Sequence, residues 1–134
     1  MDGQPDVRNP IEHYLQIDDE SLERRWSALQ QWFELRFGKQ AGIESILFLI
    51  GVQSRGLGYQ PKLKKEVKQD LIMEGTYQVF EAIDLYQKVP GENTQTYTWE
   101  RTGPSLTGLS VEEQEKLLRV AILEYFDHRV DFGS

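Results

Sequence analysis

The sequence contains no cysteine. That excludes disulfides, thiolate metal sites and a thiol nucleophile, and it suits a reducing compartment. No apolar run approaches the roughly 20 residues that a membrane-spanning helix needs. The opening stretch, MDGQPDVRNP, has neither a basic nor an apolar leader segment, so no signal peptide is expected. Together these absences lead to the expectation of a cytoplasmic protein. Positive charge is also in deficit: 15 Lys and Arg stand against 22 Asp and Glu, a net charge of −7. Duplex binding depends on neutralising phosphates, so a broad nucleic-acid surface is disfavoured.

The 134 residues fit one domain, and with 39% hydrophobic and 11% aromatic residues the chain can bury a core without staples. Residues 1–17 read as an N-terminal arm, polar at first, with Ile11, Tyr14 and Leu15 at helical spacing for one turn that docks on the core. Residues 18–134 read as a single helical domain. Its first helix is expected over 20–37, capped by Asp18 or Asp19, with Leu22, Trp26, Leu29 and Phe33 on one stripe and Gly38 as the stop. The stretch 42–54 contains Ile46-Leu47-Phe48-Leu49-Ile50 without a polar break, which predicts a buried central helix. Gly51 within it suggests a close helix crossing.

A third helix is expected over 61–85, opened by Pro61, with Leu63, Val67, Leu71, Val79 and Ile83 as its apolar row and Gly75 at a second close approach or kink. Pro90-Gly91-Glu92-Asn93 signals a turn. The alternation around it, with Tyr97, Trp99 and Arg101, predicts a short hairpin. A last helix is expected over 110–130. Ser110 and Glu113 form its capping box, and Val111, Leu118, Ile122, Tyr125 and Phe126 form its buried face. The fold class expected is a mainly α bundle of about four helices around a buried central helix, with a small β-hairpin before the last. The alternative is a winged-helix-like arrangement with Tyr97 and Trp99 in the wing, which would make the protein a nucleic-acid binder through the lysine-rich start of the third helix.

The segments Ile43–Gln53, Lys68-Gln69-Asp70-Leu71-Ile72, Tyr97–Trp99, Gln114–Leu118 and Ile122–Phe126 resemble a family of small, uncharacterised helical proteins from Bacteroidetes bacteria. The resemblance covers about residues 40–130. It departs from the family pattern at Ser54-Arg55-Gly56-Leu57-Gly58, where members carry a Glu-Leu-Gly-like stretch. The resemblance implies a bacterial cytosolic helical domain and brings no assigned activity, cofactor or catalytic residue.

Several residue groups could carry chemistry. Arg55, Gly56, Gly58, Tyr59 and Lys62 could cradle a phosphate at a helix start, although two glycines without a P-loop Lys-Ser/Thr pair are more simply a helix stop and turn. Lys62, Lys64, Lys65 and Lys68 could meet an acidic partner, or simply form a solvated face. Glu44, Asp70, Glu74, Glu81 and Glu124 lie on helices, but the paired Glu-x-x-His motifs of carboxylate metal bundles are missing; Glu124 with His128 is the nearest approach, and no metal or cofactor is expected. Glu44 and Glu74 each adjoin an apolar stretch, and a buried one needs a partner. Serine hydrolysis lacks its Gly-x-Ser-x-Gly elbow. Trp32 and Leu35 lie off the main stripe of their helix, as a protein-facing or homodimer surface would. The sequence therefore favours a non-enzymatic interaction or homo-oligomeric module. An anion-binding protein or enzyme using the Arg55–Lys62 loop is the alternative.

Overall fold

The computed structural model describes residues 10–56, 62–93 and 96–129. Five helices and one hairpin follow in order: α1 (Pro10–Leu15), α2 (Asp19–Phe37), α3 (Ile43–Ser54), α4 (Lys65–Ala82), β1 (Tyr86–Pro90), β2 (Tyr97–Arg101) and α5 (Val111–Arg129). The mainly helical class, with a hairpin before the last helix, is the one expected. The short α1 packs against α5, and its Ile11 is buried.

Local chemistry sets the helix ends. The Asp18 carboxylate accepts the Ser21 N–H at 2.9 Å and starts α2. Gly38 stops it at φ 83°, a left-handed turn that costs glycine little, with its N–H bonded back to Glu34. The Ser110 and Glu113 capping box forms in both directions, at 2.9 and 3.1 Å, and opens α5. The α2–α3 turn is held by Gln30, a buried amide that accepts from the Ala41 N–H at 2.8 Å and donates to its carbonyl at 2.6 Å.

The central helix is α5 and not the apolar α3. It packs against α1, α2 and α4, and Leu117, Val120, Ala121, Ile122 and Leu123 are all fully buried. The wide apolar run of α3 buries Ile46, Leu47 and Ile50, while Leu49 stays exposed. On α5 the expected apolar row is also shifted: Val111 is 77% exposed, because it stands at the first position of the helix, ahead of the turns that reach the core.

The α3–α4 pair is built differently from the rest. A Cβ on Gly51 would stand 1.9 Å from the Leu71 carbonyl oxygen, and a Cβ on Gly75 would stand 1.9 Å from the Leu47 carbonyl oxygen. Each glycine thus lies on the carbonyl of the residue four before the other glycine. Two Leu-x-x-x-Gly stretches, Leu47–Gly51 and Leu71–Gly75, cross antiparallel about a local two-fold axis, backbone on backbone. Gly75 lies inside an uninterrupted helix, so its role is the crossing.

Helix α4 starts at Lys65 and ends at Ala82, shorter at both ends than the expected 61–85. Lys64 is extended and serves as the N-cap, and Asp84 turns left-handed at φ 63°, which ends the helix and aims the chain into β1. Pro61 lies outside the described residues. Val67, expected on the buried row, is 39% exposed. The hairpin pairs Tyr86 with Arg101, Lys88 with Trp99 and Pro90 with Tyr97. Pro90 is therefore the last residue of β1 and not the first of the turn.

Candidate functional site around Glu74

Glu74 faces the bundle on α4, one residue before the crossing glycine Gly75, and is 4% exposed. A carboxylate in that position needs donors to replace water. Five side chains supply them. From the end of α3, the Ser54 hydroxyl donates at 3.1 Å and the Arg55 guanidinium at 3.4 Å. One turn along α4, the Gln78 amide donates at 3.0 Å. From β2, the Trp99 indole N–H donates at 3.2 Å, and the Tyr97 hydroxyl makes a short bond. Gln78 also donates to Ser54 at 2.7 Å, closing the ring of contacts.

The electrostatics follow from this geometry. Burial pushes the Glu74 carboxyl pKa up, but the hydrogen bonds from Tyr97, Gln78, Trp99 and Ser54 outweigh it and hold the pKa below the usual carboxylate value. Tyr97 moves the other way: its own burial, then the bond to Glu74, raises the phenol pKa. The pair is therefore an ionised carboxylate facing a protonated phenol. A group poised to give or take a proton near neutral pH would need the opposite shift on Glu74.

Aromatic rings close the site from the hairpin side. Tyr77 of α4 stacks on Trp99 at 5.5 Å and meets Tyr86 edge-on at 5.0 Å. The Lys88 ammonium lies 5.2 Å from the Tyr97 ring centre and 5.7 Å from that of Trp99. Tyr97 and Trp99 thus cover the bundle with their rings and reach into it with their polar tips.

The other sequence candidates are placed as follows. Arg55 and Lys62 are exposed, and the Arg55 guanidinium is engaged by Glu74, so the cation expected to lead an anion site already has a carboxylate partner. Gly56 turns left-handed at φ 68° after α3, while Gly58 and Tyr59 lie outside the described residues. Glu44 is exposed, unlike Glu74. Lys62, Lys64, Lys65 and Lys68 are all exposed, and Lys68 lies over the Phe48 ring at 5.9 Å. Glu124 engages Arg25 at 3.2 Å, with His128 3.8 Å away. Among the described residues, no group of three or more His, Asp or Glu side chains could hold a metal ion. Trp32 is half-buried against Phe33 and Phe126, whereas Leu35 is 90% exposed.

Sequence reasoning singled out Glu74 without its partners. Ser54 and Gln78 went unnoticed, yet Gln78 stands four residues from Glu74, at the spacing where helical side chains meet. A cleft of about 620 Å³ was also missed. It opens between α2, the lead-in to α3, and α5, lined in part by Trp26, Gln30, Gln40, Glu115 and Arg119, and it shares no lining residue with the Glu74 network. No family of proteins, curated protein or solved structure matches this chain in sequence or fold comparison.

Proposed function

We propose that the protein is a non-enzymatic interaction module of the bacterial cytosol that engages a protein partner through the C-terminal end of α2. The observation that carries this reading is the exposure there of two large apolar side chains, Leu35 at 90% and Phe37 at 58%. Trp32 stands one turn before Leu35 and Arg36 and meets the Phe37 ring edge-on at 6.3 Å, and the exposed Arg36 and Lys39 flank the helix end. The Arg36 guanidinium covers the Trp32 ring at 5.0 Å. Such a surface fits a partner with an apolar contact and carboxylates to meet the two cations. The Glu74 network supports the same reading, since its carboxylate is ionised and bonded to five donors, the state of an anchor. The lack of cysteine fits the cytosolic part of the proposal.

The test is photo-crosslinking in cells from position 35, with position 45 on α3 as control, followed by calorimetry on the purified partner. Crosslinking at 35 above the control should identify a protein whose affinity falls at least about tenfold in Leu35→Glu combined with Phe37→Glu. Equal crosslinking from both positions, or binding indifferent to the double substitution, would overturn the reading.

A further inference from the structure

The hairpin is a sheet of only two strands, so it has two edges among the described residues. The ladder shows which residues point their backbone groups outward. The Thr102 N–H bonds the Leu85 carbonyl at 2.9 Å, and the Gly91 N–H bonds the Thr96 carbonyl at 2.9 Å. In this register Leu85 faces Thr102 and Gly91 faces Thr96, as hydrogen-bonded pairs. Antiparallel pairs alternate, so Gln87–Glu100 and Val89–Thr98 are bonded pairs as well. The backbone N–H and C=O groups of Tyr86, Lys88 and Pro90 therefore point away from the ladder on β1, and those of Tyr97, Trp99 and Arg101 point away on β2.

The two edges are not equivalent. On β1, Pro90 offers no N–H at an outward position, so that edge is interrupted. On β2, the outward N–H groups of Tyr97, Trp99 and Arg101 are all present, and among the described residues the sheet adds no third strand. Thr98, Glu100 and Arg101 are exposed. Native proteins blunt such an edge or use it.

We infer that the free edge of β2 is a self-association surface, on which two copies of the chain pair antiparallel through Tyr97–Arg101 with Trp99 at the two-fold axis. The strand's own sequence supports a second copy as the occupant. Antiparallel pairing about Trp99 sets Arg101 of each copy opposite Tyr97 of the other. Arg101 forms no ion pair among the described residues, and there it gains an aromatic ring. On the other face of the strand, Thr98 meets Glu100, so no like charges face each other. The outward backbone groups at Tyr97, Trp99 and Arg101 are the ones that this pairing joins, and four strands form one sheet. This surface is separate from the α2 end and stands or falls apart from it.

Sedimentation velocity over a concentration series reads the dimer directly, and opposed substitutions locate it. Arg101→Pro removes an outward N–H that the hairpin ladder does not use, reproducing on β2 what Pro90 does on β1, and should abolish the dimer while the helical circular dichroism is kept. Thr98→Glu would place a carboxylate against Glu100 of the other copy and weaken the dimer about fivefold; Thr98→Lys would strengthen it by a similar factor. Because the chain has no cysteine, mixed Thr98→Cys and Glu100→Cys chains should oxidise to a heterodisulfide faster than either forms a homodisulfide. A wild-type protein monomeric at every concentration would overturn the inference. So would a dimer that survives Arg101→Pro but is lost in Leu35→Glu with Phe37→Glu, since that dimer would use the α2 end.

Discussion

Two helix contacts in this molecule follow opposite rules. Between α3 and α4 the side chains are removed: Gly51 and Gly75 bring backbone against backbone, and each lies on a leucine carbonyl. Between α2 and α5 the side chains make the contact. Leu22, Leu29 and Phe33 join the α5 core, and ion pairs run along the rim, from Arg25 to Glu124 and Asp127, from Lys116 to Asp19 and from Arg119 to Glu23. The first contact has no slack, because a carbonyl cannot give way as a side chain can. The second can repack. The Glu74 network belongs to the rigid contact, for it gathers donors from the end of α3 and from β2 around a carboxylate on α4.

The largest expected effect is at the crossing. In Gly51→Ala or Gly75→Ala the new methyl group would meet a backbone oxygen at 1.9 Å, so the helices must separate. That disturbs the Ser54 and Arg55 bonds to Glu74 as well as the leucine contacts. Each substitution should cost about 3 kcal/mol or more by urea unfolding, at the upper end for overpacking. The double variant should cost less than the sum, because one separation relieves both clashes. Tolerance of either alanine would mean that the two helices do not meet at the backbone.

Next comes the anchor. Glu74→Ala leaves the Tyr97, Trp99 and Gln78 donors without their acceptor in a buried place and should cost about 3 kcal/mol, with Glu74→Gln costing about 2. Trp99 fluorescence reports whether the hairpin lifts from α4. The pH dependence has a definite sign. The folded-state pKa of Glu74 is depressed, so its contribution is fully present above the unfolded carboxylate value of about 4.3 and is lost as pH falls through the lower folded value. The stability gap between wild type and Glu74→Gln should therefore be constant from neutral pH to about 5 and shrink below about 4. A gap that widens on acidification would contradict the assigned shift.

Much of this fold is legible in the sequence where the signal is local. Asp18, Gly38 and the Ser110–Glu113 box each act within four residues, and they form the caps expected of them. Gly51 and Gly75 stood out because glycine inside an apolar helix needs a reason. The misplaced features depend on what lies across the bundle. Hydropathy made α3 the centre, but the deeper burial fell to α5, which has helices on more sides and whose Leu117, Val120 and Leu123 widen the expected row. The early stop of α4 turns on the left-handed Asp84, a conformation that no local rule demands of aspartate. The need for a partner at Glu74 could be read from its apolar neighbours. Apart from Gln78, one turn on, its donors could not, since Ser54 and Tyr97 stand 20 and 23 residues away in the chain.

The smallest expected effects are on the α2–α5 rim, and they sharpen the contrast most. Arg119 pairs with Glu23 at 3.2 Å and with Glu115 at 3.1 Å, and its guanidinium covers the Trp26 ring at 5.2 Å. Its Nε is buried with no hydrogen-bond partner among the described residues, a cost that offsets part of the ion pairs. Glu23 is 65% exposed, so that pair is screened by water and salt. If charge held this contact, any loss of the guanidinium would weaken it. If packing holds it, Arg119→Met, which keeps a stem over Trp26 and removes the buried Nε, should change stability by less than about 0.5 kcal/mol. Arg119→Ala, which uncovers the ring, should cost about 1 kcal/mol. Repeating both unfolding curves at high salt separates the cases. The packing account requires the methionine variant to stay level with wild type at both salt concentrations, and a deficit confined to low salt would return the contact to charge.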